Sequence, residues 1–222
     1  MSDGPILLTR SAIDQLGERL RVAVTESDIK LLDQYRRGFR KDYDHVLEVL
    51  HNKLSIQATG RPAKSTNAIV DKLKRGSMRL SQMQDIAGCR LTTDDISSQD
   101  HIVSRITQSF SSATVIDRRT KPSHGYRAVH IIVRPNLSPI EIQVRTYLQH
   151  LWAEMSERFS DTYGSDVKYG GGPDNIRRLL QAMSIVVELE LKHAQATSQR
   201  KIDESARDFH DAWLRLLDIF KG

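Results

Sequence analysis

The sequence predicts an α/β fold of the α+β kind, in which a mixed β-sheet is flanked by helices and extra helices lie at both ends. Short β-branched runs are confined to the middle of the chain, and helical spacing of apolar residues precedes and follows them. The 222 residues, 39% hydrophobic and 27% charged, have the balance of an ordinary globular protein. We expect one domain over 1–222, with helices over 7–54, a core over about 55–170 and helices over 174–220.

The N-terminal part of the chain is predicted to be helical. Apolar residues recur at steps of three and four from Glu26 to Leu54, which predicts one long amphipathic helix that Thr25 can cap. A shorter helix over Leu7–Val22 precedes it. The first residues lack a basic stretch followed by an apolar core, and no apolar run approaches the length of a bilayer span. We therefore expect a cytoplasmic protein that does not contact the membrane.

The centre of the chain is predicted to alternate between loops, helices and strands. Residues 56–64 contain Gly and Pro and are predicted to be a loop, after which Ser65 can cap a helix through Lys74. Gln99–Phe110 predicts a further helix. Four runs rich in β-branched residues predict strands: IAGCRLTT, TVID, RAVHIIVR and PIEIQVR. Cys89, the single cysteine, lies in the first of them and is expected to be a small core residue.

The C-terminal part returns to helical spacing directly after the last strand. Trp152 falls on the apolar face of that helix and is expected in the core. The YGGGP stretch at 169–173 predicts a flexible break, followed by helices over 174–195 and 199–220. The last helix carries a heptad-like apolar stripe, formed by Ile202, Ala206, Phe209, Trp213, Leu216 and Phe220. This stripe must pack on the core, which we favour, or on a partner such as a second copy.

Polar residues in two predicted strands could form a metal site. In PIEIQVR the strand pleat sends Glu141, Gln143 and Arg145 to one face, which is either a ligand-binding row or a solvent-facing side. Asp85 stands at the entry to another strand, and Gly88 permits the close approach of a neighbour. The two acids could converge on one Mg²⁺, which prefers oxygen ligands and takes others from substrate phosphates. Two unrelated surface acids are the alternative.

Two further segments carry residues suited to a nucleotide. In PSHGYRAVH, Tyr126 beside a glycine turn is a plausible platform for a base and shares a strand face with His130 if the strand begins at Tyr126, although either could be structural. In GRPAKS, Arg61 and Lys64 lead into a helix N-terminus, where free N–H groups and the helix dipole favour anions. This is not a P-loop, because no G-x-x-x-x-G-K-[ST] occurs in the chain.

The order of these segments resembles the synthetase domain of the RelA/SpoT family. The resemblance runs from about Gly60 to Tyr169 through a basic R..K.......K loop and helix, D-I-A-G-x-R, P-x-x-G-Y-R-x-x-H, E-I-Q-x-R-T and a W-A-E helix. It implies a mixed sheet flanked by helices and related to nucleotidyltransferases. It also implies a short, stand-alone enzyme of the small alarmone synthetase type, which makes (p)ppGpp by moving pyrophosphate from ATP to the 3′-hydroxyl of GDP or GTP.

The resemblance also implies roles for individual residues. Asp85 and Glu141 would hold Mg²⁺, and Glu141 would assist deprotonation of the acceptor hydroxyl. The residues implied to contact ATP, its adenine or its phosphates, are Arg61, Lys64, Lys72 and Arg90. Those implied on the acceptor side are Tyr126, which would stack on the guanine, and His130, Gln143, Arg145 and Lys121.

Departures from the family pattern leave the acceptor open. Arg61 and Lys64 are separated by two residues instead of one, and Ala68, His124 and the Glu157–Arg158 pair stand where the family usually has Ser, Asn and Glu-His. With a net charge of +5, the acceptor could instead be a tRNA 3′ end, or it could be an adenine nucleotide, as in toxic members that an antitoxin neutralises. The third interpretation is a regulator that binds nucleotides without catalysis.

Overall fold

The computed structural model describes the backbone of residues 8–221 and the side chains of residues 8–200. A five-stranded sheet forms the centre, with strand order β1-β2-β5-β4-β3. The strands are β1 Thr59–Arg61, β2 Ala87–Thr93, β3 Ala113–Asp117, β4 Val129–Val133 and β5 Ile140–Thr146. β2 and β5 run parallel and the other neighbours are antiparallel. The predicted mixed sheet flanked by helices is confirmed.

Seven α-helices surround this sheet in the part of the chain that the structure describes. They are α1 Arg10–Val22, α2 Glu26–Arg37, α3 Arg40–Glu48, α4 Thr66–Arg75, α5 Ile96–Ser109, α6 Tyr147–Tyr163 and α7 Asp174–Lys221. The predicted caps Thr25 and Ser65 accept hydrogen bonds from the N–H groups of Asp28 and Ala68. α5 begins three residues earlier than predicted because Asp95 caps it by accepting from the N–H of Ser98 at 2.7 Å.

The single helix predicted over Glu26–Leu54 is wrong, because the chain is interrupted between α2 and α3. The N–H groups of Gly38 and Phe39 bond to carbonyls only three residues back, which tightens the turn and starts a new helix at Arg40. A π-helical turn, Val49–Lys53, then follows α3. The shorter first helix begins at Arg10 and not at Leu7, which lies outside the described residues.

Three other boundaries differ from the sequence prediction. The predicted loop over 56–64 contains β1, a short strand that pairs antiparallel with β2 although all three of its residues are exposed. β4 begins at Val129, because Ser123 and Tyr126 first close a turn with mutual backbone hydrogen bonds. The two helices predicted over 174–195 and 199–220 are one continuous helix, α7. The side chains of the predicted stripe, Ile202 to Phe220, lie outside the described residues.

Two apolar clusters hold these elements together. The larger lies between the N-terminal helices, α4 and the sheet, where Ile140, Ile142 and Val144 of β5 are completely buried. The smaller joins α6 to α7 and contains Trp152, as predicted for that residue. Cys89 is buried in the larger cluster, also as predicted, and burial raises the pKa of its thiol to about 12. Across the described residues, no helix combines the length and the hydropathy of a membrane span.

Candidate active site

A polar cleft of about 320 Å³ lies over the face of the sheet that points away from the larger apolar cluster. Its floor is formed by β1 and by the polar faces of β2 and β5. The predicted site residues that line it are Arg61, Lys64, Asp85, Arg90, Glu141, Gln143 and Arg145. The alternation predicted for β5 is observed, because the residues between the three buried apolar ones face this cleft.

Asp85 is held between two lysines at one side of the cleft. Its Oδ2 accepts from Lys64 Nζ at 2.6 Å and its Oδ1 from Lys72 Nζ at 2.8 Å. Burial by itself would raise the pKa of Asp85, but the two ammonium groups outweigh it and lower the pKa to about 2. Burial also lowers the pKa of Lys64, and the charge of Asp85 opposes that shift. Lys72 therefore joins the site through Asp85, although it is not among the residues that line the cleft.

Glu141 belongs to a closed ring of hydrogen bonds among five polar side chains. His130 Nδ1 lies 2.9 Å from Glu141 Oε1, and His130 Nε2 lies 2.8 Å from the Tyr126 hydroxyl. Arg145 Nη2 donates to that hydroxyl at 3.1 Å and to Gln143 Oε1 at 2.7 Å. Gln143 Nε2 closes the ring by donating to Glu141 Oε2 at 2.6 Å. Both carboxylate oxygens of Glu141 are thus oriented by neighbours.

The charge of Glu141 is set by this ring. Burial would raise the pKa of the carboxyl, but the hydrogen bond and charge of His130 outweigh it, so the pKa lies below its ordinary value. The negative charge of Asp85 acts in the opposite direction and raises the same pKa, but it does not reverse the shift. Asp85 and Glu141, which are distant along the chain, line the same cleft.

Three predicted acceptor residues, Tyr126, Lys121 and His130, lie outside the cleft lining. Tyr126 is half-buried, with the Arg145 guanidinium 5.3 Å from its ring centroid and the Trp152 ring centroid 6.1 Å away. Burial raises the pKa of its hydroxyl, and Arg145 opposes that shift. Lys121 is exposed in the turn before Ser123 and does not line the cleft. His130 reaches the site through Glu141 and not by lining it.

Several lining residues escaped the sequence prediction. One side of the cleft is formed by Ala68, Asp71 and Arg75, which share a face of α4, and another by Glu157, Ser165, Lys168 and Tyr169. The guanidinium of Arg75 lies 4.1 Å from the Tyr169 ring centroid, so these two sides meet. The i, i+3 and i+7 spacing from Ala68 was a signal for the first group. In the second group, Glu157 lies on α6 and was named only as a departure from the family pattern. Ser165, Lys168 and Tyr169 had no signal, because the turn over Ser165–Tyr169 brings them back over the sheet.

Arg145 also carries unused hydrogen-bonding capacity. Its side chain is almost completely buried, yet Nε and Nη1 have no partner in the described part of the chain. An unpaired buried donor is costly, and an anion or a polar ligand group would satisfy it. The cleft thus combines the carboxylates of Asp85 and Glu141, the two lysines bound to Asp85, and arginines from three strands.

Comparison with known proteins shows a similarity that lies mainly in the central region. The family model described as a region found in RelA/SpoT proteins matches residues 60–166. The uncharacterized protein Rv1366 of Mycobacterium tuberculosis is 36% identical over 118 residues, which are 51% of this chain and 43% of that protein. The chain therefore spans less than half the length of this relative. The GTP pyrophosphokinase YwaC of Bacillus subtilis is 26% identical over 136 residues, 54% of this chain and 65% of that protein.

Solved structures share the fold. The small alarmone synthetase 1 from Bacillus subtilis superposes with a TM-score of 0.57 and 23% identity, covering 79% of this chain and all of that one. Structures of that enzyme bound to its product pppGpp and to AMPCPP superpose with TM-scores of 0.57 and 0.52. The mixed five-stranded sheet with its flanking helices is the fold of these synthetases.

Proposed function

We propose, from the match of residues 60–166 to the family model described as a region found in RelA/SpoT proteins, that this chain is a pyrophosphokinase that makes (p)ppGpp from ATP and GDP or GTP. The 3′-oxygen of the acceptor attacks the β-phosphorus of ATP, and the bond from that phosphorus to the bridging oxygen of the α-phosphate breaks. AMP leaves, and the hydroxyl proton passes to a base. The observation that carries this proposal is the convergence of Asp85 and Glu141, with their lysine and histidine partners, in one cleft.

The cations around Asp85 support a donor triphosphate. Arg61, Lys64 and Arg90 line the cleft, and Lys72 reaches it through Asp85. We assign these four residues to ATP. Transfer of a phosphoryl group depends mainly on positioning and on fixed positive charge, which these side chains can supply. Lys64 and Lys72 would turn from Asp85 toward the phosphates when the nucleotide binds.

The carboxylate pair fits a magnesium ion. Asp85 and Glu141 supply hard oxygen ligands, and both line the same cleft. Among the described residues, no group of three or more His, Cys, Asp or Glu could hold a metal. Substrate phosphates would therefore complete the coordination. When bound, Mg²⁺ would neutralise charge on the phosphates.

Glu141 is proposed as the base on the acceptor side. Its pKa below the ordinary value keeps it ionised at neutral pH, so that it can accept the proton of the 3′-hydroxyl. His130, Gln143 and Arg145 orient it or the acceptor through the closed ring of hydrogen bonds. We assign Tyr126 and Lys121 to the acceptor side too. Tyr126 would then have to move from its contacts with Arg145 and Trp152 to stack on a guanine.

The test is transfer from ATP labelled at the γ-phosphate. Purified protein is incubated with Mg²⁺, labelled ATP and GDP, GTP, ATP or tRNA as acceptor, and the products are separated by anion exchange or by gel. We expect label in pppGpp or ppGpp. Glu141→Gln keeps the shape of the side chain but removes the base, so the rate should fall by about 10²- to 10⁴-fold. Glu48→Gln, on an exposed acid of α3, is the matched control.

Different results separate the alternatives. Label in tRNA or in an adenine nucleotide, but in no guanine nucleotide, would replace the acceptor and keep the chemistry. Nucleotide binding without transfer to any acceptor would make the chain a regulator, in line with Ala68 at a position of the cleft where a hydroxyl is expected. Transfer that is unaffected by Glu141→Gln would remove Glu141 from the reaction.

A further inference from the structure

Arg90 is held by a carboxylate that comes from outside the sheet. Its Nη1 donates to Glu154 Oε1 of α6 at 2.6 Å, and each side chain is 35% exposed. Glu154 is the one hydrogen-bond partner of the Arg90 side chain among the described residues. A guanidinium has five N–H donors. The pair therefore leaves most of the Arg90 donors free for a ligand in the cleft, which Arg90 lines.

Both ends of this ion pair are fixed by packed elements. Arg90 lies within β2, where it is paired with Thr59 of β1 and Gln143 of β5. Glu154 lies two residues after Trp152, which is buried in the smaller apolar cluster and anchors that part of α6. The carboxylate is therefore presented from a surface that does not depend on a ligand, and it gives the guanidinium one defined orientation.

Glu154 differs from the acid that holds the two lysines. Asp85 lines the cleft, so Lys64 and Lys72 would have to leave it to reach the phosphates. Glu154 is not among the lining residues, so Arg90 can keep this partner while a nucleotide occupies the cleft. The hydrogen bond from Arg90 is the main influence that lowers the pKa of Glu154, which keeps the carboxylate charged at neutral pH.

A guanidinium that is already held binds a ligand at a smaller entropic cost than a free one. The long arginine side chain has many rotamers, and freezing them on binding opposes association. The ion pair with Glu154 orders Arg90 before the nucleotide arrives. The negative charge of Glu154 has the opposite effect, because it repels a triphosphate in the cleft. Variants of Glu154 separate these two effects.

We propose that Glu154 is a positioning residue for the donor nucleotide, because it holds the Arg90 guanidinium in the orientation that binds ATP. The proposal rests on the proposed function, which assigns Arg90 to ATP. Glu154 acts through Arg90 and not on the reacting atoms. Its loss should therefore weaken ATP binding and leave the rate of transfer at saturating ATP unchanged.

Two measurements on the full chain test this role: calorimetry with AMPCPP and Mg²⁺, and initial rates of transfer from ATP. In Glu154→Ala we expect the Kd for AMPCPP and the KM for ATP to rise about 5- to 30-fold, because the ordering of one arginine is lost. The kcat and the KM for the acceptor should match the wild type. Asp161→Asn, on an exposed acid of the same helix, is the matched control and should change none of these constants.

Glu154→Gln separates orientation from charge. The amide oxygen of glutamine still accepts a hydrogen bond from Arg90, but the side chain is neutral. Glu154→Gln should therefore bind AMPCPP more weakly than the wild type but more tightly than Glu154→Ala. Tighter binding than the wild type in both variants would overturn the proposal, because repulsion of the phosphates would then be the main effect of Glu154.

A double-mutant cycle tests whether Glu154 acts through Arg90. Arg90→Ala should weaken AMPCPP binding by itself, and adding Glu154→Ala to it should cause no further loss. A further loss as large as that of Glu154→Ala alone would overturn the proposal, because it would show a structural role that is independent of Arg90. If Glu154→Ala does not fold, the same cycle is made with Glu154→Gln.

Failure of this role and failure of the proposed function give different results. Transfer by the wild type, with a Kd for AMPCPP that is unchanged in Glu154→Ala, overturns the positioning role alone. Binding that depends on Glu154 through Arg90, with no transfer to any acceptor, supports the positioning role and overturns the proposed function. A wild-type protein that binds no AMPCPP and transfers no label overturns both.

Discussion

The charge on Glu141 depends on one neighbouring side chain. The hydrogen bond and charge of His130 are the main influences that lower the pKa of Glu141, against a burial effect that raises it. The amide of Gln143 acts in the same direction but contributes less. An acid that accepts a proton must be ionised, so the pH at which activity falls in acid reports this pKa if Glu141 is the base.

Replacing His130 should shift the acidic side of the pH–activity profile, where activity falls as the pH is lowered. In His130→Ala the pKa of Glu141 rises, because the histidine no longer opposes the effect of burial. The acid limb, which is the fall of kcat/KM at low pH, therefore shifts to higher pH. The profile is measured for transfer from ATP between pH 4 and 9. Gln143→Ala should shift the limb in the same direction by a smaller amount. An acid limb unchanged in His130→Ala would show that Glu141 is not the group that titrates.

At the scale of elements, a buried carboxylate joins α3 to the turn between β4 and β5. Asp42 Oδ1 accepts from Asn136 Nδ2 at 2.6 Å, and Oδ2 accepts from the N–H of Ser138 at 2.9 Å. Burial would raise the pKa of Asp42, but these hydrogen bonds outweigh it and lower the pKa. The turn leads directly into β5, which carries Glu141.

Removing this carboxylate should loosen the turn. Asp42→Ala removes a buried, charged acceptor from the donors of Asn136 and Ser138, and we expect the free energy of unfolding to fall by about 1.5–3 kcal/mol. Asp44→Ala, two residues further along the same helix, removes a half-exposed carboxylate paired with Arg40 and should cost less than about 1 kcal/mol. Urea unfolding followed by circular dichroism measures both. Equal losses in the two variants would contradict the role given to Asp42.

Elements with strong local signals were predictable from the sequence. The alternation in β5 placed Ile142 in the core and Glu141 in the cleft, because a strand sends successive side chains to opposite faces. β1 was missed, because its exposed residues have no apolar pattern and its position comes from pairing with β2. The break at Gly38 was missed because the apolar spacing continues through it, and its backbone stays in the right-handed helical region.

The candidate site was predictable in its members but not in its contacts. Local motifs indicated Asp85 and Glu141, and the parallel pairing of β2 with β5 brings their segments side by side. The hydrogen bond between Tyr126 and His130 was foreseen only as a shared face of one strand. It forms instead because a turn at residues 123–126 places the tyrosine before the strand begins. The position of Tyr169 in the cleft depends on how the chain turns back over the sheet after α6, and the spacing of residues along the sequence does not encode that turn.

At the scale of the whole molecule, one buried arginine connects the sheet region to α7. The Arg127 guanidinium donates to the carbonyl of Arg119, to the hydroxyl and carbonyl of Ser184, and to Glu188 at 2.8 Å. Trp152 Nε1 of α6 donates to the carbonyl of Leu180, also at 2.8 Å. These hydrogen bonds orient α7, in addition to the apolar packing of the smaller cluster.

Loss of Arg127 should release α7 locally. Arg127→Ala removes several hydrogen bonds from a buried position, and we expect about 2–4 kcal/mol lower stability and faster amide hydrogen exchange over residues 174–191. Arg178→Ala, on the same helix, removes a largely exposed ion pair with Asp174 and should leave that exchange nearly unchanged. Exchange in Arg127→Ala that matches the wild type would mean that apolar packing alone holds α7.

The glycine at position 88 sets the spacing between the two strands that carry the acids. A first side-chain carbon at Gly88 would lie 2.6 Å from the backbone carbonyl oxygen of Glu141, far inside van der Waals contact. One methyl group at this position would push β2 away from β5 and so displace the carboxylate of Glu141 relative to that of Asp85. Every charge in the cleft would stay the same. The alignment of the two acids thus depends on the absence of a side chain at position 88, and a single methyl group there is expected to inactivate the site by steric means alone.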